Sequence, residues 1–376
     1  MTAINSPYSK HQLDGRSLFF FSGFVLPALK LLDAPALLAR YAAGDLLLPA
    51  FLHYLLQGGV IFLIFLLTAK TGKGFFSLAK EKFGKWAYYL LLCLYALFFT
   101  LYALKPLLDV EKFTYAAFYD TAPSVFTFAP FFLLSGYIAA KSLKSLGRFS
   151  ALCFPIFSIS LTFLLAASVK QADFSALLPL FEQPFSKIRL SFEKTIPHFF
   201  DAALFLPLTE KYRHQKGDIK KAVGGYLLGG LLTLLYLGVY FGVYQSIAYR
   251  EHFAIAKIAQ YFPAFSIVGR LDLIFVYLYT AVLFFAISIP VRLAVDCTFT
   301  AFPLKSRVPY AFAWNILLFL FVLFFNKRYN FITSLILDLS PVFWAFSVGL
   351  PVLLSAIFLI LDKIKGAGKR FKGENV

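Results

Sequence analysis

The stretch Ser17–Ala42, SLFFFSGFVLPALKLLDAPALLARYA, is long and apolar enough to cross a membrane. It nevertheless carries charged residues, and two of them, Lys30 and Asp33, lie between Pro27 and Pro35. Proline removes a backbone donor from a helix and kinks or breaks it. The stretch therefore predicts a membrane-spanning helix that is interrupted where its charges lie.

A shorter stretch in the second half of the chain has the same design. Thr195–Thr209, TIPHFFDAALFLPLT, carries Asp201 between Pro197 and Pro207. Each of the two stretches opens a set of five hydrophobic segments. Interrupted spans at corresponding places in two halves are typical of transporters whose binding site lies near the middle of the bilayer. We therefore expect a binding site between the two interruptions.

The composition is that of an integral membrane protein. Of the 376 residues, 60% are hydrophobic and 15% are charged. A soluble protein could not keep so much apolar surface out of water, so the bilayer is expected to surround it. We expect an all-α integral membrane protein that forms a single transmembrane domain over residues 1–376.

Ten apolar runs of about 17–25 residues have the length of a transmembrane helix. Each must be helical, because a single span can satisfy its own backbone in lipid only in that way. The predicted spans lie near residues 17–42, 46–68, 86–104, 123–140, 149–169, 195–210, 222–246, 271–294, 308–325 and 341–361.

Basic residues alternate in number from one predicted loop to the next. The richer side carries about twice as many lysines and arginines as the other, and such an excess marks cytoplasmic loops. The pattern predicts that both termini are cytoplasmic, with a short basic tail at residues 363–376. We attribute the net charge of +17 to this topology and not to nucleic-acid binding.

The ten spans divide into two groups of five at the longest predicted loop, residues 170–194. An odd number of spans in each half inverts the second half relative to the first, as an inverted repeat requires. The first repeat is expected at about residues 17–169 and the second at about 195–361.

Asp201 is the strongest candidate for a binding residue, with Ala202 beside it. A carboxylate at this depth costs at least about 2.5–3.5 kcal/mol on insertion scales, so it needs a partner, a cavity or a proton. We expect it to meet a ligand amine, a cation or a proton. The alternative is a structural aspartate that is protonated or paired with a lysine.

Lys30 has two candidate partners. It lies three residues before Asp33, and side chains at this spacing can meet on a helix. It could instead reach Asp201, because the first helices of matching halves pack together in such transporters. Gly23 completes the residues expected at the first interruption.

Further side chains at helical spacing are candidates for the wall of the binding site, although such stripes also serve packing. They are Phe98 and Tyr102 in the third span and Tyr277 and Thr280 in the eighth. Arg270 and Asp272 open the eighth span at the membrane interface, where long charged side chains can reach water. We expect these two to contact a loop or a partner.

Catalytic, cofactor-binding and metal-binding patterns are missing from the sequence. The five histidines are scattered, and the three cysteines lie in or beside apolar segments without the spacing of metal ligands. There is no nucleophile elbow and no phosphate-binding loop. The sequence predicts a protein that is not an enzyme and that needs no cofactor or metal.

Short motifs spread along most of the chain resemble one known family. They are Gly44-Asp45, Phe83–Trp86 (FGKW), Leu177–Pro179 (LLP), Leu204–Pro207 (LFLP) and Gly269–Asp272 (GRLD). In these motifs the chain resembles the B-subunit family of spore germination receptors, within the amino acid–polyamine–organocation permease superfamily.

The resemblance implies the leucine-transporter fold, with ten helices and with helices 1 and 6 unwound at the centre. It also implies a site for a small nutrient, commonly an amino acid, and an assembly with an A subunit and a C lipoprotein in the spore inner membrane. Asp201 falls where the family often has a glutamate. Lys30 stands about where a glycine is usual, so Lys30 supplies the positive charge there, or the ligand differs, or the site is degenerate.

Two functions compete at this point. In the favoured one, the chain is a receptor subunit whose nutrient ligand shifts a conformational equilibrium in an assembly. In the alternative, it is an autonomous proton-coupled carrier of an amino acid or an amine.

Overall fold

The structure is a computed structural model that describes residues 13–118, 124–212, 217–253, 255, 258 and 272–373. At 115–118, 124–127, 272–274, 362 and 364–373 the description is limited to the backbone. Throughout these ranges the structure is helical and contains no β-strand, apart from one isolated bridge between Leu13 and Tyr212.

The first half of the chain forms six helices in the described residues. They are α1 (Gly15–Lys30), α2 (Ala34–Ala42), α3 (Leu47–Thr71), α4 (Phe75–Phe118), α5 (Ser124–Ala140) and α6 (Leu143–Ser168). The first predicted span is thus split into α1 and α2, and the break lies at the predicted charges.

The second half forms eight further helices in the described residues. They are α7 (Phe185–Thr195), α8 (Asp201–Thr209), α9 (Asp218–Tyr244), α10 (Asp272–Ala301), α11 (Val308–Phe325), α12 (Tyr329–Asp338), α13 (Ser340–Trp344) and α14 (Leu350–Gly373). A π-helical turn, Ala345–Gly349, joins α13 to α14. Such turns occur often at functional sites.

The helices confirm the prediction of an integral membrane protein with many spans. Within the part of the chain that is described, seven helices are long and apolar enough to cross a membrane. Their length and composition are those that the hydrocarbon core of a bilayer requires. The count of ten spans and their inverted repeat stay predictions.

Several helices extend beyond the predicted spans. The third span was expected to end at residue 104, but α4 continues to Phe118, and the backbone of Gly84 (φ 86°) kinks it near its start. The sixth span was expected to begin at residue 195, but α7 begins at Phe185. The tail predicted from residue 363 is helical as far as Gly373. In α4 the extension has a clear cause, because the charged residues Lys105 and Asp109, which follow the predicted span, are buried.

Helix α1 packs closely on α9 because glycines face it. A Cβ atom added at Gly225 would lie 2.3 Å from the Phe19 carbonyl oxygen, and one at Gly229 would lie 2.6 Å from Pro27. These distances leave no room for a side chain, so the glycines allow the close approach of the two helices. The crossing fixes α1, and with it the end that carries Lys30.

The segment before α7 is held against the turn between α2 and α3. The Asp45 carboxylate accepts hydrogen bonds from the backbone N–H groups of Phe181 (2.7 Å) and Gln183 (2.8 Å). A Cβ atom at Gly44 would lie 3.0 Å from the Ala176 carbonyl oxygen. The Gly44-Asp45 motif thus anchors the connection that leads into the second interrupted span.

Candidate functional site

Two helix breaks define the candidate site. The first lies between the end of α1 at Lys30 and the start of α2 at Ala34. The second follows α7: a 3₁₀ turn, Ile196–His198, leads through two non-helical phenylalanines to α8. Helix α8 begins at Asp201 without a side-chain cap from the residue before it. Both breaks therefore leave helix ends inside the protein.

A buried ion pair joins the two breaks. The Lys30 ammonium lies 2.6 Å from Asp201 Oδ1, and each side chain is 2% exposed. The hydroxyl of Tyr226 on α9 donates to Asp201 Oδ2 at 2.7 Å, and Lys30 also donates to the Leu26 carbonyl oxygen at 3.1 Å. Of the two partners considered for Lys30 in the sequence, the structure gives it Asp201.

Aromatic rings surround this pair. The Lys30 ammonium lies 5.7 Å from the ring centre of Tyr54 and 5.5 Å from that of Phe199, within the range of cation–π attraction. We call the set Lys30, Asp201, Tyr226, Tyr54 and Phe199 the central cluster. Its one cation and one carboxylate balance in charge, which is the condition under which ions can stay buried.

The first turn of α8 is tied to two other helices. The backbone N–H of Ala202 donates to Gln57 Oε1 on α3 at 2.9 Å. The Gln57 amide nitrogen lies 3.5 Å from the hydroxyl of Ser347, in the π-helical turn before α14. Ala202 thus contributes its backbone to the site, and Gln57 holds the start of α8 in place.

A second cluster of charges lies beside the first break. Asp33 pairs with Lys105 of α4, and Lys105 also lies 2.7 Å from Asp109. His252 Nδ1 lies 2.6 Å from Asp33 Oδ1, and the hydroxyl of Tyr329 on α12 donates to Asp109 at 2.7 Å. We call these five residues the second cluster. It connects α2, α4, α12 and the loop after α9.

Two adjacent residues of the loop after α9 form hydrogen bonds with the first break. Besides the His252 contact with Asp33, the backbone N–H of Phe253 donates to the Leu32 carbonyl oxygen at 3.3 Å. His252 is half-exposed while Asp33 is buried. The loop therefore covers the break from one side, and its histidine is accessible to solvent protons.

This loop should be sensitive to pH. The hydrogen bond to Asp33 raises the pKa of the His252 imidazole above its ordinary value, so protonated His252 stabilises the folded loop. That stabilisation is complete below about pH 6.5, the ordinary histidine pKa, and is lost as the pH rises through the raised value. We expect the melting temperature of wild type to exceed that of His252→Gln most near pH 5.5, and the difference to shrink by about pH 8.5.

The expected difference is small, because ion pairs at exposed positions contribute about 1 kcal/mol or less. Arg250→Gln, in the same loop, serves as the control because its exposed side chain contacts Tyr249 instead. A difference between wild type and His252→Gln that grows with pH would contradict the assigned contact.

The aromatic residues predicted in the third span lie beside the second break. The ring centres of Tyr102 and Phe200 are 3.8 Å apart, and Phe98 lies 5.7 Å from Phe200. Phe98 also stacks on Phe346 of the π-helical turn at 5.0 Å. These rings form an apolar wall next to the central cluster, and whether they touch a ligand stays a prediction.

Other candidate residues lie apart from the two clusters. Gly23 is two turns before Lys30, where an added Cβ would meet Phe154 and the Gly225 carbonyl oxygen. Thr280 is buried and donates to the Val276 carbonyl oxygen of its own helix, while Tyr277 is 61% exposed on the outer face of α10. A role of these three residues in ligand binding stays a prediction, and their distance from the two clusters does not support it.

The residues predicted to contact a loop or a partner cannot be placed. Arg270 lies outside the described residues, and Asp272 begins α10 within the stretch described by its backbone alone. Their predicted role is unchanged.

Several members of the two clusters are not predicted from the sequence. Lys105 and Asp109 fall in the predicted loop after residue 104, and nothing local to Tyr226 or His252 distinguishes them as site residues. Lys105 and Asp109 are four residues apart within an apolar run, a spacing that places them on one helix face. That spacing was the available signal, whereas the contact of His252 with Asp33 depends on a sequence separation of 219 residues.

The C-terminal end of α8, like its first turn, is held by contacts with other helices. The Glu210 carboxylate accepts hydrogen bonds from the N–H groups of Phe76 (2.7 Å) and Ser77 (3.0 Å) at the start of α4. Lys211 lies 2.9 Å from Asp296 of α10, which also pairs with Arg292. These contacts hold the end of α8 to α4 and α10, so movement of α8 would break a defined set of bonds.

Comparison with known proteins gives a family and a fold. The model of a family described as Spore germination protein (Spore_permease) matches residues 46–331. No curated protein matches the sequence. One matching solved structure is described as the substrate-bound outward-open state of a Na⁺-coupled sialic acid symporter. It is 11% identical, with a TM-score of 0.57, and the match covers 92% of this chain and 80% of that chain.

At this identity the solved structure shows the fold alone. The chain has the helical fold of a membrane transporter, which fits the expected leucine-transporter arrangement. Together with the family match, this makes it a multi-pass membrane protein that acts as a transporter or receptor and not as an enzyme.

Proposed function

The chain belongs to the family of spore germination proteins, and on that premise we propose that it binds a small zwitterionic nutrient, an amino acid, as the B-type subunit of a germinant receptor. The observation that carries the proposal is the buried Lys30–Asp201 pair, which bridges the two helix breaks. Transporters with discontinuous helices bind their substrates where these helices break, near the middle of the bilayer.

The charge of the central cluster favours a zwitterion over a simple ion. Lys30 and Asp201 cancel each other, and both are buried. Adding a bare cation or anion would leave an uncompensated charge away from water, which is costly. A ligand with one ammonium and one carboxylate keeps the total at zero. It can exchange partners with the pair, so that its carboxylate meets Lys30 and its ammonium meets Asp201.

The helix ends support the same orientation. The start of α8 carries the positive end of a helix dipole, which attracts a carboxylate. The end of α1 presents carbonyl oxygens, which attract an ammonium. The aromatic wall formed by Phe98, Tyr102 and Phe200 lies beside this position, and it would receive an apolar ligand side chain.

The wider organisation is part of the same proposal. We place ten spans in two inverted groups of five, at about residues 17–169 and 195–361 of one transmembrane domain, with both termini cytoplasmic. The paired breaks at α1/α2 and α7/α8 support this arrangement. The spore inner membrane, an A subunit and a C lipoprotein are the location and partners that the family resemblance implies.

A matched set of small ligands tests the proposal on the purified full-length chain. Alanine is expected to raise the melting temperature by roughly 3 °C at a hundredfold excess over its Kd, from the mass-action gain and the unfolding entropy of a chain of this size. Ethylamine and propionate, which each carry one of its two charges, should raise it far less. Other amino acids, amines and nucleosides extend the panel.

Asp201→Asn is the control for this screen, because it should abolish the amino-acid shift. If single-charge ligands stabilise the protein as well as amino acids do, the zwitterion proposal is wrong. If nothing in the panel binds, the chain is better explained as a scaffold that does not take a ligand.

The second candidate function is an autonomous proton-coupled carrier of an amino acid or an amine. The buried Lys30 favours it, since a lysine whose charge is held by one carboxylate can release its proton when that contact is broken. The purified chain in liposomes separates the two functions. Concentrative uptake driven by a pH gradient would support the carrier, and ligand binding without uptake would support the receptor subunit.

A further inference from the structure

The segment that connects α6 to α7 exposes several large apolar side chains. We call residues 172–184 the connecting segment. Leu178, Leu180 and Phe181 are 66%, 57% and 67% exposed, and Phe185, the first residue of α7, is 76% exposed. Single apolar residues at a surface need no explanation, but a group of them marks a contact with another molecule or with a membrane. The connecting segment therefore needs an apolar environment outside this chain.

The polar groups of the connecting segment face the protein, on the side opposite these apolar side chains. The backbone N–H groups of Phe181 and Gln183 donate to the Asp45 carboxylate, so this stretch of backbone lies against the turn between α2 and α3. A carboxylate oxygen of Glu182, between them, lies 4.0 Å from the Cβ position of Gly44. The segment thus has a polar inner side and an apolar outer side.

The backbone of Phe181 adopts a conformation that its side chain does not favour. Its φ is 65°, which bulky residues rarely adopt and which glycine or asparagine adopts at lower cost. The turn therefore does not explain a phenylalanine at this position, and the exposed ring needs a use on the outer side of the segment.

The connecting segment runs back along α9 toward the bilayer. The backbone N–H of Asp173 donates to the Gly242 carbonyl oxygen at 2.9 Å, near the end of α9. Further along the segment, Leu177 Cδ1 lies 4.0 Å from the Cβ position of Gly238. Gly238 is four residues deeper in α9 than Gly242, or about 6 Å at the rise of an α-helix. The segment therefore does not extend away from the membrane into water.

The length of α9 places this contact at the edge of the hydrocarbon. Helix α9, Asp218–Tyr244, has 27 residues and is about 40 Å long, whereas the hydrocarbon core of a bilayer is about 30 Å thick. When the helix is centred, each end extends about 5 Å into the headgroup region. Gly238 lies about 9 Å before the end of α9, so the connecting segment reaches the boundary between headgroups and acyl chains.

A lipid-facing surface leads along α6 to the connecting segment. Leu152, Ile156, Ile159 and Phe163 are exposed and follow the spacing of one helix face. In a helix of membrane-spanning length, such an apolar outer face meets lipid. Val169, between α6 and the connecting segment, is exposed as well. The apolar side chains of the connecting segment therefore continue a surface that already lies in the bilayer.

The backbone of the connecting segment is suited to a membrane interface. Pro179 and Pro184 have no N–H group, the Leu178 N–H donates to the Ser175 carbonyl oxygen at 3.0 Å, and Asp45 accepts from two further N–H groups. Irregular backbone is excluded from lipid because its polar groups lack partners there. Hydrogen bonds within the protein and the missing donors of the prolines reduce that cost.

We propose that the connecting segment binds the lipid surface at this end of the bundle, with Leu180, Phe181 and Phe185 inserted at the boundary between headgroups and acyl chains. Apolar side chains at this depth anchor a peripheral segment to a membrane. Because the segment leads through α7 to the second helix break, its contact with lipid holds that break at a fixed depth. The proposal does not depend on the ligand site, since the central cluster contains none of these residues.

Spin labels on the full-length chain, reconstituted alone in vesicles of phosphatidylcholine and phosphatidylglycerol, test this depth. The three cysteines are replaced by serine, and Leu180→Cys or Phe185→Cys carries the label. We expect the ratio of collisions with oxygen to collisions with a water-soluble nickel complex to be at least about threefold higher at both positions than at Arg189→Cys, because hydrocarbon excludes the complex. The Arg189 side chain is 68% exposed on α7, and Ile159→Cys on the lipid-facing surface of α6 is the positive control.

Two results of this measurement would overturn the proposal. Labels at Leu180 and Phe185 that meet the nickel complex as often as the label at Arg189 would place the connecting segment in water. Labels that neither reagent reaches would mean that a second copy of this chain covers the segment.

Tryptophan fluorescence supplies a measurement that leaves the cysteines in place. Phe185→Trp and Arg189→Trp each add one indole to the three of the wild type, and the difference from wild type isolates the added emission. Both positions are exposed, so both variants should keep the melting temperature of wild type. Lipids with brominated acyl chains should quench the added emission of Phe185→Trp at least about twice as strongly as that of Arg189→Trp, because only the former reaches the acyl chains. Equal quenching of the two would contradict insertion of the connecting segment.

Discussion

Asp201→Asn is expected to abolish amino-acid binding and to destabilise the protein strongly. The substitution preserves the size of the side chain but leaves the Lys30 ammonium buried against a neutral amide. Removing one partner of a buried ion pair typically costs about 3–5 kcal/mol, because the other charge is left without compensation. Lys30→Met should behave alike, since it leaves the Asp201 carboxylate with Tyr226 as its remaining hydrogen-bond donor in the central cluster.

The double variant distinguishes a direct interaction between Lys30 and Asp201 from independent effects of the two substitutions. Lys30→Met/Asp201→Asn removes both charges together, so it should be no less stable than either single variant while still failing to bind. Thermal unfolding and amino-acid binding are measured on wild type, both single variants and the double variant. Losses of stability that simply add would contradict a direct interaction between the two side chains.

The chain contains a control pair of the same chemistry. Lys73 and Glu81 lie 2.7 Å apart, and their side chains are 53% and 44% exposed. Their double-mutant cycle should give a coupling of about 1 kcal/mol or less, because water and salt screen an exposed pair. If the coupling energy of Lys30 and Asp201 is no larger than this, burial does not strengthen the interaction between the two side chains.

The position of the two helix breaks that define the candidate site could be predicted from local sequence. Prolines on both sides of Lys30 and Asp201 marked the two places where helices break, and the cost of burying a charge in lipid marked the residues that needed partners. Both signals are short in range, and the structure places the two side chains 2.6 Å apart. The family motifs added the expected fold, which the comparisons support.

The second cluster could not be predicted in the same way. Lys105 and Asp109 looked like the end of a span because local hydropathy assigns charged residues to water. They remain inside α4 because Asp33, 72 residues away from Lys105, supplies a countercharge. Tyr277 is largely exposed on α10, and spacing alone places such a residue on a helix face without saying which neighbour that face meets. Both outcomes depend on tertiary packing.

Lys105→Met is expected to be among the most destabilising substitutions in the described part of the chain. Lys105 is buried between the carboxylates of Asp33 and Asp109, so removing it leaves two like charges close together without their shared cation. Breaking one buried pair costs about 3–5 kcal/mol, and here two contacts are lost. We expect a low yield of folded protein and a large fall in melting temperature, measured by size-exclusion chromatography and thermal unfolding in detergent.

A second substitution should rescue part of this loss. Asp109→Asn in the Lys105→Met background removes one of the two carboxylates and keeps an acceptor for the Tyr329 hydroxyl, which contacts that side chain at 2.7 Å. Asp33 then retains His252 as its partner. Lys112→Met, two turns further along α4, is the control and should have little effect on stability. If Lys105→Met lowers the melting temperature no more than Lys112→Met does, the second cluster does not hold the first helix break to α4. The loop that covers the break would then be held by Phe253 and its neighbours alone.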